Sequence, residues 1–371
     1  YQQRAVNNAN KKFEEKQFAS VILPTGAGKS FVAMTELLEH KNDRMLYLAP
    51  SNEILEQTKD RIIENIHGKI GTSGKSKDEI IAEVFPNLEF ATYQSLITKA
   101  GKETLEKQYD FIIFDELHRT GAEKWEEALN KLLENQLETT KVLGITATPT
   151  RDVDDRNMSD EIAKKLGYTD EEIRAEKHIA TKIELKEAIQ LGMVVNPKVV
   201  SCEYNLLTDG SMENLAEQIN EMEDENERKK KLEQYDRLRK NLEKAKGIPE
   251  ILQENLKEGG KYIVFIPVGG NEEGKDSIDK VKEWEKQISE YLKNSGIEPE
   301  YYSMLGAYSD KENERQLEGF ESKNSDKTKF MIVMNKLNEG VHVDGVNGIL
   351  WFRPLDENSK ILYKQQIGRV I

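Results

Sequence analysis

Residues 23–30 read LPTGAGKS and follow directly on the apolar run Ser20-Val21-Ile22-Leu23. No other stretch constrains this chain as tightly. A strand that passes into a helix through Gly26 and Gly28 turns several backbone N–H groups toward one point, at the positive end of the helix dipole. Phosphate suits that point. A Cβ would hold the backbone away from phosphate oxygens, and glycine also takes a left-handed φ at little cost. Lys29 is placed to reach β- and γ-phosphates, and Ser30 to put a hydroxyl on Mg²⁺. The general pattern GxxxxGK[ST] has Leu23 in place of its first glycine, so the match is to a variant.

A second segment, Tyr109 to His118, reads YDFIIFDELH. Its apolar run has the character of a buried parallel strand and ends in two adjacent carboxylates, Asp115 and Glu116. Ligands of open α/β sheets sit at the C-terminal edge of the strands. There Asp115 can hold the Mg²⁺ that Ser30 also serves, and Glu116 can polarise an attacking water. Asp-Glu after a strand says little alone, because acidic residues often open helices. Downstream of a phosphate loop it says much more.

Apolar runs predict strands at Ser20–Leu23, Met45–Ala49, Leu88–Thr92, Phe111–Phe114 and Val142–Thr146, with helices such as Phe31–Glu39, Glu53–Asn65 and Lys124–Leu133 between them. A second set lies at Tyr262–Pro267, Phe330–Met334 and Gly348–Phe352, with helices at Ser277–Leu292 and Lys311–Phe320. Strands alternating with helices make parallel sheets covered on both faces. The expected fold class is therefore α/β, with two parallel-sheet domains in tandem, residues 1–190 and 191–371. Residues 208–258 differ in kind: dense in charge, nearly free of glycine and proline, and suited to a helical insertion. Leu232, Tyr235, Leu238, Leu242 and Ala245 give it one narrow apolar face, as in a solvated arm packed on one domain.

Composition narrows the function classes. With 371 residues the chain can build two cores. Its one cysteine, Cys202, allows no internal disulfide and suits a reducing, cytoplasmic setting. No apolar run approaches the roughly 18–20 residues that span a bilayer, so no membrane partner is expected. A formal net charge of −14 has the wrong sign for binding nucleic acid over the whole surface. Any such contact must be local. The five histidines are scattered, so a nuclease activity would have to come from elsewhere, such as another subunit.

With these segments in this order, the chain resembles the superfamily 2 helicases and translocases. TGAGKS at 25–30 looks like motif I, LAPSNEILEQ at 48–57 like motif Ia, and ATYQSL at 91–96 like the strand-contact motif that follows. DELH at 115–118 is similar to motif II in its DExH form, and TATPTR at 146–151 to motif III. IVF at 263–265 starts motif IV, LNEGVHVDGVN at 337–347 looks like motif V, and QQIGR at 365–369 like the start of motif VI. DELHR and the LNEG motif lie closer to restriction-type DExH helicases than to DEAD-box RNA helicases.

The resemblance implies a fold of two RecA-like domains, ATP and Mg²⁺ as ligands, and a set of roles. Gln2 would read adenine, and Thr25, Gly26, Ala27, Gly28, Lys29 and Ser30 would surround the phosphates. Asp115 would serve the metal and Glu116 the water, while His118, Thr146 and Thr148 would link nucleotide state to strand grip. Gly340 and Asp344 of motif V would face the nucleotide cleft; Gln365 and Arg369 of motif VI would complete catalysis, Arg369 at the γ-phosphate. One strand of nucleic acid would be held by its backbone at Pro50, Ser51 and Asn52 and at Thr92 and Gln94. The basic, glycine-rich segment 67–77 is either part of that path or an ordinary surface loop.

The family's motif VI runs QxxGRxxR, and this chain stops at Ile371, one residue before the second arginine. Together with a start at Tyr1, that points to a longer parent. Gly269–Asp276 satisfies GxxxxGK, but Asp276 replaces the metal-serving hydroxyl and two glutamates stand where phosphate must come, so it reads as a surface loop. The functional expectation is a DNA helicase or translocase driven by ATP. An RNA helicase and an ATP-gated nucleic-acid clamp are the alternatives.

Overall fold

The structure is a computed structural model that describes residues 1–66, 74–99, 101–121, 123–151, 156–194, 196, 198–200, 211–220, 222, 225–242, 247–266, 275–293, 295–322, 325–334, 343 and 345–352. The chain separates into two compact units, one built on residues 1–197 and the other on 198–336 with 345–353.

In the first unit, β1 (Phe18–Ile22), β2 (Met45–Ala49), β3 (Leu88–Thr92), β4 (Phe111–Asp115), β5 (Lys141–Thr146) and β6 (Ile179–Lys182) form one sheet in the order β3-β2-β4-β5-β1-β6. Every pairing is parallel. The pleat splits β4 between two cores. Phe111 and Ile113 join Val21, Tyr47 and Ile145 on one face, under helices α1 (Gln2–Phe13), α2 (Lys29–Glu39) and α3 (Asn52–Ile66). Ile112 and Phe114 join Phe18, Leu46 and Leu48 on the other, with Leu129 and Leu132 of the helix Glu123–Glu134. Burying each such side chain stabilises by about 1.5–3 kcal/mol. A run apolar on both faces is thereby fixed as a central strand rather than an edge.

The second unit holds β7 (Lys261–Phe265), β8 (Pro299–Met304), β9 (Thr328–Val333) and β10 (Gly348–Trp351) in the order β10-β7-β9-β8, again all parallel. Its core gathers Val264, Ile266, Phe330 and Ile332 against Val281, Ile288 and Leu292 of the helix Lys275–Leu292. Both units are therefore parallel-sheet α/β, as the alternating pattern requires.

The charged stretch forms helices Ser211–Asn220 and Glu225–Leu242. Leu232 and Tyr235 are half-buried along it. The side chains of Leu238, Leu242 and Ala245, and residues 269–274 of the glycine-lysine loop, lie outside the described residues. So do residues 67–73 of the basic segment, whose described end caps a helix: Ser76 and Glu79 form a capping box on Lys77–Val84.

β6 and β8 are strands that the apolar pattern does not predict. Both are edge strands, and their sequences, IATK and PEYYSM, are half-buried rather than apolar throughout. An edge needs only one buried face, and Pro299 is tolerated at the start of β8, where a missing N–H costs least.

Candidate nucleotide site

The glycine loop closes β1 and opens α2. Gly26 and Gly28 both take left-handed φ, 83° and 76°. Gly28 caps α2 without any side-chain hydrogen bond, and Phe31 N–H turns back onto Gly28 O at 3.0 Å, so the N–H groups of Lys29 and Ser30 are the ones that open the 11-residue helix. Gln2, the first residue of α1, lies over the loop: a methyl group at Gly28 would stand 1.9 Å from its Nε2. The chain thus folds its N-terminal amide onto the glycine turn. Ala27 is fully buried and its N–H donates to Pro24 O at 3.1 Å, which holds the turn tight. Arg61 of α3 donates to Ser30 Oγ.

Asp115 ends β4, with Glu116 in the turn that follows. Lys29 Nζ stands 3.6 Å from Glu116 Oε1, so the loop lysine and the turn carboxylate face each other across the end of the sheet. Glu116 has a left-handed φ of 49°, unusual without glycine. Asp115 is held at three atoms. Tyr47 OH donates to Oδ2 at 2.8 Å, Glu116 N–H donates to Oδ1 at 3.0 Å, and Tyr93 OH donates to the backbone carbonyl at 2.7 Å. Burial and the Glu116 charge push the Asp115 carboxyl above its ordinary range, while the Tyr47 hydroxyl and the Lys29 ammonium oppose them.

His118, Thr146 and Thr148 form one connected group. Thr146 Oγ1 donates to Thr148 O at 2.8 Å and accepts from Thr148 N–H at 3.2 Å. Its proton is thereby used, so toward His118 Nδ1, 3.1 Å away, it accepts. The imidazole then carries a proton on Nδ1. Burial, helped by Arg119, Lys29 and Arg151, pushes His118 down to about 4 against the pull of Glu116, consistent with a neutral ring. His118 Nδ1 also lies 3.5 Å from Glu116 Oε2, which ties this group to the carboxylate. A cavity of about 600 Å³ opens beside Pro24, Thr25, Thr148 and Pro149, at the C-terminal ends of β1 and β5.

Sequence reasoning brought the loop, Asp115, Glu116, His118, Thr146 and Thr148 together, and the structure gathers them at one sheet edge. Pro50, Ser51 and Asn52 follow β2, and Ser51 Oγ accepts from Ile54 N–H at the start of α3. Thr92 and Ser95 exchange backbone and side-chain hydrogen bonds, and Gln94 is exposed between them. Tyr93, in the same turn, is fully buried. Gly340, Asp344, Gln365 and Arg369 lie outside the described residues.

Three contributors were missed: Tyr47, Tyr93 and Arg61. Each reads locally as an apolar-run or helix-surface residue. Only the polar tip, useless in a purely apolar core, carried a signal.

Residues 1–151 match the family model described as "Type III restriction enzyme, res subunit". The chain is 26% identical over 200 residues to the ATP-dependent DNA helicase MPH1 of Vanderwaltozyma polyspora, covering 48% of this chain and 19% of that protein. It is 29% identical over 152 residues to the putative DNA 3'-5' helicase Rad25 of Haloarcula marismortui, covering 39% of this chain and 22% of the other. The chain thus spans about a fifth of the length of these curated relatives. Among solved structures, the ATP-dependent Type ISP restriction-modification enzyme LlaBIII bound to DNA superposes with a TM-score of 0.62 at 20% identity, over 100% of this chain and 26% of that one. The Saccharomyces cerevisiae Dbp5 structure gives 0.51 at 14% identity, over 95% and 75%. These two likenesses concern the fold.

Proposed function

We propose that this chain, which resembles the superfamily 2 helicases, hydrolyses ATP to move along or remodel DNA, as a helicase or translocase. The observation that carries this reading is the meeting of Lys29 and Glu116, 3.6 Å apart, beside the uncapped first turn of α2. A cation, a row of N–H donors and a carboxylate stand together where a triphosphate and its water need them.

The residues present fit the substrate. Left-handed Gly26 and Gly28 leave a cradle without Cβ atoms, and Gln2 already lies over it, with a side-chain amide that can both donate to and accept from a base. Thr25 to Ser30 bind the phosphates in this reading, and Lys29 exchanges its Glu116 partner for the γ-phosphate. Glu116, so released, orients and deprotonates water for in-line attack. Ser30 and Asp115 would hold Mg²⁺, which when bound neutralises charge on the β- and γ-phosphates. The hydroxyl and carboxylate are the hard oxygen donors that this ion prefers.

His118, Thr146 and Thr148 form the relay. Because Thr146 is bonded both to His118 and to Thr148, a shift of the segment after β5 changes the hydrogen bonding next to Glu116. Gly340, Asp344, Gln365 and Arg369 keep the roles that the resemblance implies, as part of the same proposal. DNA is favoured over RNA because the named sequence relatives are DNA helicases. Nucleic-acid contact is assigned to Pro50–Asn52, Thr92 and Gln94, with a nuclease or other subunit as a further partner. The cytoplasmic setting rests on the single Cys202; no helix among the described residues is long and apolar enough to cross a membrane.

The test is steady-state ATPase activity with no polymer, single-stranded DNA, duplex DNA and single-stranded RNA. Stimulation by DNA supports the motor. Equal or greater stimulation by RNA moves the substrate to RNA, and nucleotide binding without stimulation by any polymer leaves the gated clamp.

A further inference from the structure

We propose that Tyr93 is a positioning residue of the ATP site, whose hydroxyl sets the Asp115–Glu116 peptide, and so the aim of Glu116, from within the segment assigned to nucleic acid. The inference rests on the ATPase reading given above and deepens it.

Three observations lead there. Glu116 is held at φ 49°, a conformation a non-glycine residue keeps only where its surroundings enforce it. The orientation of the preceding peptide is what defines that φ, and the oxygen of that peptide is Asp115 O. Tyr93 OH donates to this atom at 2.7 Å. The flanking bonds, Glu116 N–H to Asp115 Oδ1 at 3.0 Å and Arg119 N–H to Glu116 O at 2.9 Å, hold the turn at its other atoms.

The tyrosine is itself firmly placed. It is fully buried, its ring stacks on Trp125 with centroids 5.8 Å apart and 22° between planes, and its N–H donates to Ala49 O at 3.0 Å. A ring so fixed transmits movement of its own backbone to its hydroxyl. That backbone lies between Thr92 and Gln94, in a turn closed by Ser95 Oγ on Thr92 N–H and Thr92 Oγ1 on Ser95 N–H, each at 3.1 Å. A strand gripped at this turn therefore acts on the Asp115 carbonyl through one rigid side chain.

A buried tyrosine usually finds some partner for its hydroxyl. What sets this one apart is the partner, the carbonyl that orients the strained residue proposed to activate water. Packing alone gives no reason for the bond to affect hydrolysis, and that difference is measurable.

The experiment is a double-mutant cycle on the full chain with Tyr93→Phe and Glu116→Gln, reading kcat and KM for ATP at saturating single-stranded DNA. Phenylalanine keeps the ring and its stack on Trp125; thermal melting and nucleotide binding check the fold of each variant. Tyr93→Phe is expected to lower kcat about five- to tenfold with KM for ATP unchanged, and to have no further effect in the Glu116→Gln background. A Tyr93→Phe kcat equal to wild type, or a loss that persists undiminished beside Glu116→Gln, overturns the proposal and leaves the ATPase reading intact. Wild-type turnover by Glu116→Gln means that another group orients the water and also overturns the proposal, whereas no turnover by the unmutated chain overturns the ATPase reading itself.

Discussion

Lys29 Nζ and Glu116 Oε1 face each other at 3.6 Å, each side chain less than a fifth exposed. The loop lysine is thereby held beside the carboxylate. Removing either partner would leave the other's charge largely buried beside fewer compensating groups. In the proposed reaction a triphosphate takes the lysine and leaves the carboxylate beside the phosphate chain, so one ion pair would link binding to activation.

Lys29→Ala removes the only side-chain cation that the glycine turn itself supplies. Nucleotide binding, followed by a fluorescent ATP analogue, is expected to fall at least tenfold, about 1.4 kcal/mol, and turnover with it. Unchanged hydrolysis would remove the phosphate assignment from residues 25–30.

Glu116→Gln keeps the side-chain length and loses the base. ATP should still bind, while kcat drops about 10²- to 10⁴-fold, the usual contribution of a positioned general base. Single-turnover cleavage measures it. Normal turnover means that another group orients the water.

Gly28→Ala tests the turn. At φ 76° a side chain is strained by about 1 kcal/mol, and the added methyl would meet Gln2 Nε2. The variant should melt several degrees lower and bind nucleotide more weakly. A simultaneous Gln2→Ala change should relieve the clash but not the backbone strain, so recovery is expected to be partial.

Glu36, on the buried face of α2, has no hydrogen-bond partner for either carboxyl oxygen among the described residues. Burial, with the Glu39 charge adding to it, raises its pKa to about 8. The sign follows from proton uptake. Between the ordinary carboxylate pKa and about 8, the folded chain holds a proton that the unfolded chain releases. Stability is therefore highest at acidic pH with respect to this group and declines as pH rises toward 8. Glu36→Leu should melt higher than wild type, by on the order of 2 kcal/mol at pH 8 and less at pH 5. Urea unfolding at the two pH values decides it; an equal shift at both would mean that Glu36 is not the titrating group.

The glycine loop and the Asp-Glu strand end were legible because their signals are local. Gly26, Gly28 and Lys29 are consecutive demands of one turn, and the run Phe111–Phe114 can be apolar on both faces only if the strand is central. The alternation of such runs with helices then dictates parallel sheets, because parallel neighbours need a crossover. Strands β6 and β8 escaped because IATK and PEYYSM, broken by Thr181, Lys182 and Glu300, hold no continuous apolar run.

What tertiary structure alone decided is which residues from different crossovers meet. Tyr47 on β2 and Tyr93 after β3 look like core aromatics in the sequence, and nothing near either names Asp115 as its partner. Gln2 lands on Gly28 only because α1 packs against α2 and β1, a placement set by Ala5, Val6 and Ala9 in a shared core. The sequence determined that this chain makes a glycine turn and a carboxylate strand end in a parallel α/β frame, because short-range sterics and hydrophobic period settle those. The strand order β3-β2-β4-β5-β1-β6 decided how the two are aimed at each other, because only side-by-side pairing of β4 with β2 and β5 brings distant turns to one edge.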